Sequence, residues 1–548
     1  MTRQRITPSP AVVETLAAAA GLSLDPERLQ DLVSHLEAFM EEVTRLEEVD
    51  VAGYEPAIPA TLPPRRESPR PEPPLPGAAA PMTDDRCFLS IRDLGALYRN
   101  RRVSPVEVTR AVLDRIDRFG PRLNAWITVR HEDALAEAAA AERSLRAGED
   151  RGPLHGVPIS LKDNIDTAGI RTTCGSPLNR DRVPASDATV ARRLREAGAV
   201  LLGKTNLLEF AYGVVHPAFG QCNNPWDAAH TSGGSSSGSA SSVAAGMGYA
   251  SLGTDTGGSI RIPAAYCGIV GLKPTYGRVS RHGVFPLSWS LDHLGPLTRT
   301  VDDARLVLQA IAGPDLADPT TIPERLGDTA ASGADLHGVR VGLMPEHLGE
   351  ELRPGVAAAF DRALATLRAG GASVREVRVP SLLYSEEATL TLIGAEATSI
   401  HEPWLRQGAA ENYAAMVRVQ LELGAMIPAV DYLRAQRFRA KLMREFDTAF
   451  GLVDVIITPT VAHVAPGQPA HPGVAGRGRT RAMKRTCPHN LTGQPAISVP
   501  CGTAEDGLPV GLQIIGSRFR EDLILSVAAA FEDQGGWRVD CPPGVRSA

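Results

Sequence analysis

The sequence predicts an α/β protein, and three observations carry that expectation. Short apolar runs alternate with segments of helical periodicity. The 548 residues, 43% hydrophobic and 22% charged, can bury a large core. Two glycine- and serine-rich stretches abut apolar sequence instead of continuing as polar linker, so their many hydroxyls belong inside the folded unit and need partners there. The length exceeds the usual range of one domain, so either several units or one unusually large domain is expected.

The first unit, residues 1–55, is a small helical segment. Asp25 followed by Pro26 is a helix start, because the carboxylate caps free amides and proline loses nothing at the first helical position. Leu29, Leu32, Val33, Leu36, Phe39, Met40, Val43 and Leu46 then recur at helical spacing, and Val12, Leu16 and Ala19 mark a shorter partner helix. Two such helices cannot bury their stripe alone, so they are expected to dock on the rest of the chain or on another protomer.

Residues 56–82 carry a dense run of prolines among charged residues and read as a semi-rigid tether. The main unit is residues 83–548. Helical patterns lie at 105–119, 133–141, 188–197 and 356–367, and apolar runs at 157–161, 200–202, 269–272, 339–343, 453–458 and 496–500 read as core strands. The polar, glycine-rich stretch 465–480 reads as a loop near the substrate mouth.

A formal charge of −6 is small for this length and gives no electrostatic reason to expect nucleic acid or an anionic membrane as partner. The seven scattered cysteines form no C-x-x-C pair, which argues against a disulfide framework or a structural zinc. No segment reaches 18 uninterrupted apolar residues and no apolar run follows the basic N-terminus, so a soluble, cytoplasmic protein is expected.

The chemistry concentrates in TSGGSSSGSASS, residues 231–242, and SLGTDTGGSIRIPAAYCGIVGLKP, residues 251–274. Two generic motifs match formally and are set aside. Ser236 centres a G-x-S-x-G, but no strand clearly precedes it. Gly198 with Gly203-Lys204-Thr205 satisfies the phosphate-loop spacing, yet the intervening residues read as the strand itself.

These stretches resemble the amidase signature family. The blocks that carry the resemblance are GVPISLKDNI (156–165), GGSSSGSA (233–240), LGTDTGGSIRIPAAYCGIVGLKPTYGRVS (252–280), LDHLGPLTRTVDDA (291–304), NLTGQPAISVP (490–500) and GLPVGLQIIG (507–516), in order from about Leu89 to Phe531. The resemblance implies a large mixed β-sheet covered by helices on both faces. It places a catalytic lysine on Lys162, a bridging serine with a cis peptide on Ser235, and the nucleophile on Ser259. It further implies an oxyanion hole from the amides of Thr256, Gly257, Gly258 and Ser259, with Asp255 and Arg261 organising that loop.

The residue types fit this chemistry on their own terms. A serine hydroxyl needs a base to accept its proton, and a lysine is a base only when its pKa is pushed down by burial or a positive field. Ser235 can accept the proton of Ser259 while passing its own to Lys162. No cofactor and no metal is expected, and the histidines, among them His155, His216, His282 and His293, are left as packing or rim residues.

The substrate is less legible. Residues 16–56 resemble the small helical subunit of the tRNA-dependent amidotransferase, here joined in the same chain. Against that, Met483 stands where the family's glutaminase subunit carries the aspartate that holds the substrate ammonium, and its basic motif is not recognisable before Leu423-Gly424. A buried ammonium without a carboxylate is costly. The expectation is therefore a stand-alone amidase acting on linear aryl or aliphatic amides, with carbamate (urethane) cleavage included and a homo-oligomer compatible. The alternatives are a glutaminase subunit of a tRNA-dependent amidotransferase and a non-catalytic assembly protein. Segments 382–433 and 463–489 are the expected pocket walls.

Overall fold

The computed structural model describes residues 8–22, 24–57, 85–324, 326, 335–349, 352–468, 482–535 and 541–546. Its centre is one mixed sheet of eleven strands. In chain order these are β1 (Trp126–Val129), β2 (Pro158–Lys162), β3 (Val200–Thr205), β4 (Ala250–Asp255), β5 (Val270–Lys273), β6 (His293–Thr298), β7 (Arg340–Leu343), β8 (Ser373–Glu376), β9 (Val455–Pro459), β10 (Ala496–Thr503) and β11 (Pro509–Gly516). They lie side by side as β1-β3-β2-β4-β6-β5-β10-β11-β9-β7-β8. Parallel pairs join β2 to β3 and β4, and β7 to β8 and β9, while the remaining pairs are antiparallel.

Helices cover both faces, as the alternation of strand and helix patterns predicts. Every residue of β2 to β6 is buried, and in β2, β3 and β5 the apolar positions form short runs. All six predicted strands are present. Strands β4, β6 and β11 escape a search for apolar runs because glycine and polar residues interrupt them. Those residues are buried with the rest.

The predicted helices are also there. Pro105–Leu123 begins with a full capping box between Ser104 and Glu107. The helical segment at the N-terminus consists of Pro10–Ala19 and Pro26–Thr44, the second capped by the Asp25 side chain on Arg28 N at 2.9 Å. Its stripe docks on the same chain: Val13, Ala17, Leu32 and Leu36 form a cluster with Val419, Leu423 and Met426. Arg28 closes the edge of this contact with ion pairs to Glu411 and to the buried Glu422.

The proline-rich tether lies outside the described residues from 58 to 84, and the expected loop 465–480 is described only as far as Gln468, where Gly467 bridges His230. All seven cysteines are free thiols, and six of them are buried. Among the described residues no helix is long and apolar enough to cross a membrane, and no cluster of three or more His, Cys, Asp or Glu has the geometry of a metal site.

Candidate active site

The strand ends build the site. β2 and β4 run parallel and adjacent, with Leu161 opposite Leu252, so Lys162 at the end of β2 reaches Thr254 near the end of β4. Lys162 is fully buried, and its Nζ donates to Thr254 Oγ1 at 2.7 Å and to Ser235 Oγ at 2.8 Å. Ser235 follows a cis peptide from Gly234. The amide of Ser236 donates to the carbonyl of Ser259 at 3.3 Å, which fixes the segment bearing Ser235 against the turn bearing Ser259. Lys162 and Ser235 are closed off, while Ser259 is partly exposed.

Burial drives the Lys162 pKa down to about 7; Asp255, Asp292 and the Cys174 thiol act in the opposite sense and do not offset it. Half of such a group is a free amine near neutrality, which is what a proton acceptor for a serine requires. Burial likewise holds His293 and His489 well below the ordinary imidazole range, with Lys273 adding to the effect at His293 and Arg261 at His489.

The turn after β4 is held by a buried ion pair. Arg261 Nη2 and Asp255 Oδ1 lie 2.9 Å apart, both side chains fully buried. Burial alone would raise the Asp255 pKa, but the Arg261 guanidinium overrides it and keeps the carboxyl well below its usual range. Arg261 also donates to Asn490 Oδ1 at 2.7 Å, Gln513 Oε1 at 2.8 Å and Thr486 O at 2.9 Å, so its charge is satisfied on every side.

The four amides expected to form an oxyanion hole, those of Thr256, Gly257, Gly258 and Ser259, differ in their engagement. The amide of Gly258 donates to Asp255 Oδ1 at 2.8 Å, and that of Ile260 to Asp255 Oδ2 at 3.1 Å. The Gly258 amide is therefore engaged by the turn's own carboxylate in this structure. The amides of Thr256, Gly257 and Ser259 have no acceptor among the described residues. Gly258 also shapes the turn. Its φ of +137° lies where side chains rarely go, and a Cβ there would stand 2.3 Å from Thr486 Oγ1.

Several residues near the site were not singled out by sequence. Thr254 shares Lys162 with Ser235. The pairing of Asp255 with His293 across β4 and β6 brings Asp292 beside Thr256, whose Oγ1 donates to Asp292 Oδ1 at 2.6 Å. Lys204, just past the run the sequence reads as a strand, is buried in β3, 3.5 Å from Asp163 and donating to Thr172 Oγ1 and Ile165 O. Ser236 is buried and donates to Thr254 O. A cleft of ≈ 230 Å³ opens beside this cluster, lined by Asn164, Thr254, Thr256, Phe285, Trp289 and Asp292 among others.

The amidase family profile matches residues 107–525. The chain belongs to the amidase family. This amidase is 42% identical over 478 residues to the A subunit of glutamyl-tRNA(Gln) amidotransferase from Geobacter metallireducens, covering 82% of this chain and 98% of that protein. It is also similar to the inhibitor-bound structure of a vestigial protein complex that reveals the evolutionary origins of an s-triazine catabolic enzyme: 33% identity, TM-score 0.78, 83% of this chain and 100% of that one. The native peptide amidase of Stenotrophomonas maltophilia is 34% identical with a TM-score of 0.71, over 84% and 99% of the two chains. The amidase is thus an enzyme of the hydrolase class, and the non-catalytic alternative is set aside.

Proposed function

We propose that the amidase cleaves amide-type C–N bonds through an acyl-enzyme on Ser259, with Lys162 as base and Ser235 as the relay between them. The single observation that carries this is the 2.8 Å contact of a buried, weakly basic Lys162 with Ser235, beside the glycine turn that ends in Ser259. Ser259 Oγ attacks the substrate carbonyl and its proton passes to Ser235, whose own proton goes to Lys162. The oxygen that takes up the charge meets the amides of Thr256, Gly257 and Ser259; each such donor is worth roughly 3 kcal/mol in the transition state. The proton returns through Ser235 to the leaving nitrogen, and water cleaves the ester by the reverse path.

Two substrate assignments rest on different observations. Similarity supports glutamine better than it supports a stand-alone amidase, because relatives 38–42% identical across four fifths of this chain are A subunits of glutamyl-tRNA(Gln) amidotransferases. The helical segment packed on residues 419–426 supports the same assignment, as a small subunit carried in cis. One local observation favours the stand-alone amidase: Met483 packs on the turn, with its Sδ 2.9 Å from where a Cβ of Gly257 would be. A thioether offers an ammonium group no compensating charge.

The test is a panel of glutamine, primary amides, anilides and carbamates, with product release followed for wild type and Ser259→Ala. Glutamine turnover abolished by Ser259→Ala supports the glutaminase assignment. Turnover confined to amides without an α-ammonium supports the stand-alone amidase, and equal rates for the two proteins would sink the mechanism.

A further inference from the structure

The loop at residues 287–292 is anchored twice. At one end Asp292 takes the Thr256 hydroxyl on Oδ1 and, on Oδ2, the amides of Leu287 and Ser288 at 2.9 and 3.1 Å. Farther along, Glu396 from the Ser385–Arg406 helix accepts from Ser288 Oγ and Ser290 Oγ, each at 2.6 Å, from Ser290 N at 3.1 Å and from Tyr432 OH at 3.0 Å. Arg439, from the Ala429–Leu452 helix and fully buried, donates through Nη2 to Ser290 Oγ at 3.0 Å and Ser290 O at 3.4 Å. Its Nη1 reaches Gln436 Oε1 at 3.1 Å and Ala57 O at 3.4 Å, so the start of the tether supplies one carbonyl to the network.

A buried carboxylate with four donors and a buried guanidinium around one serine are costly to desolvate, and hydrophobic residues would fill the space at no such cost. What they add is a fixed geometry for the loop that holds Thr256. We propose that Glu396, Ser290 and Arg439 form a positioning node that sets the oxyanion turn through Asp292 and Thr256. None of the three is a catalytic residue; each acts on the reaction through the loop. The same loop presents Trp289, 42% exposed, to the cleft beside Lys162, so the node also fixes that wall.

The experiment measures how fast Ser259 is labelled by an alkyl fluorophosphonate, read by intact mass. Ser259 Oγ bonds to phosphorus, its proton passes through Ser235 to Lys162, fluoride leaves, and the phosphoryl oxygen occupies the place of the oxyanion, so no substrate needs to be known. Ser290→Ala is expected to lower the labelling rate about tenfold, the scale of a small misplacement of reacting groups. Arg439→Lys and Glu396→Gln are expected to follow it, with native circular dichroism in each case. On any amide the enzyme turns over, kcat is expected to fall with KM changed less than about twofold, since the turn acts on the transition state. The double variant Ser290→Ala/Asp292→Asn is expected to label no more slowly than Asp292→Asn alone, because both lie on one path.

A folded Ser290→Ala that labels at the wild-type rate, or a double variant whose loss is the product of the two single losses, overturns the proposal. A wild type that takes no label on Ser259 overturns the Ser259 assignment and this proposal together, which separates the two failures.

Discussion

Lys162 Nζ sits 2.8 Å from Ser235 Oγ and 2.7 Å from Thr254 Oγ1, between two hydroxyls and with no carboxylate in ion-pair reach among the described residues. A lysine so placed loses its hydration without gaining a counter-charge. That is the physical origin of its lowered pKa, and it fixes the direction of several measurable effects.

The first is the pH profile. Lys162 acts as a base only when neutral, and its pKa of about 7 sets the midpoint. kcat/KM should therefore rise through about pH 7 and level off above it. A profile flat from pH 5 to 9 would remove Lys162 from the role.

Stability should move the same way. The folded pKa lies below the ordinary value of 10.5, so between about pH 7 and 10.5 the unfolded chain binds one more proton than the native state. Lys162 thus makes the protein more stable as pH rises across that window. Below it the lysine is protonated in both states and the cost of burying the charge is present in full. Urea unfolding of wild type and Lys162→Met at pH 6.5 and 9 checks this: the gap between them should narrow at the higher pH.

Lys162→Ala is expected to lower kcat by about 10³-fold near neutral pH, and Ser235→Ala by about 10²-fold, both folded by circular dichroism. The milder second loss follows because a water in the vacated space still bridges the nucleophile and the amine.

The fold was legible because its strands and helices rest on local patterns, and the residues proposed for the relay were singled out by local blocks of the same kind. The strands at 157–161 and 200–202 are apolar runs; Lys162 directly follows the first of them, and Ser235 and Ser259 lie in glycine-rich blocks of high specificity. Thr254 and Asp292 were not legible as partners. Their roles depend on β2 lying beside β4 and on Asp255 pairing with His293, relationships between strands that no single segment encodes. The orientation of the Gly258 amide was hidden for the same reason: it is set by the Asp255 side chain folding back on its own turn.

The Asp255–Arg261 pair yields a stability prediction. Asp255→Asn would leave Arg261 buried with Asn490, Gln513 and a carbonyl but no counter-charge, at a cost of roughly 3–5 kcal/mol. Chemical denaturation measures it. A loss below about 1 kcal/mol would mean that the neutral partners alone satisfy the guanidinium.

Leu36, 3% exposed in the N-terminal cluster, tests the docking of that segment. Leu36→Ala should lower the stability of the contact by about 2–3 kcal/mol and make residues 10–44 more readily cleaved by a dilute protease. Unchanged cleavage would show that the segment is held by its ion pairs instead.

The most direct measurement is peptide mapping by mass spectrometry of enzyme quenched in acid during turnover of an amide from the panel. The mechanism predicts an acyl group, of the mass of the substrate's acid half, on the peptide containing Ser259, and none in Ser259→Ala. An adduct on another residue, or sustained turnover by Ser259→Ala, would contradict it.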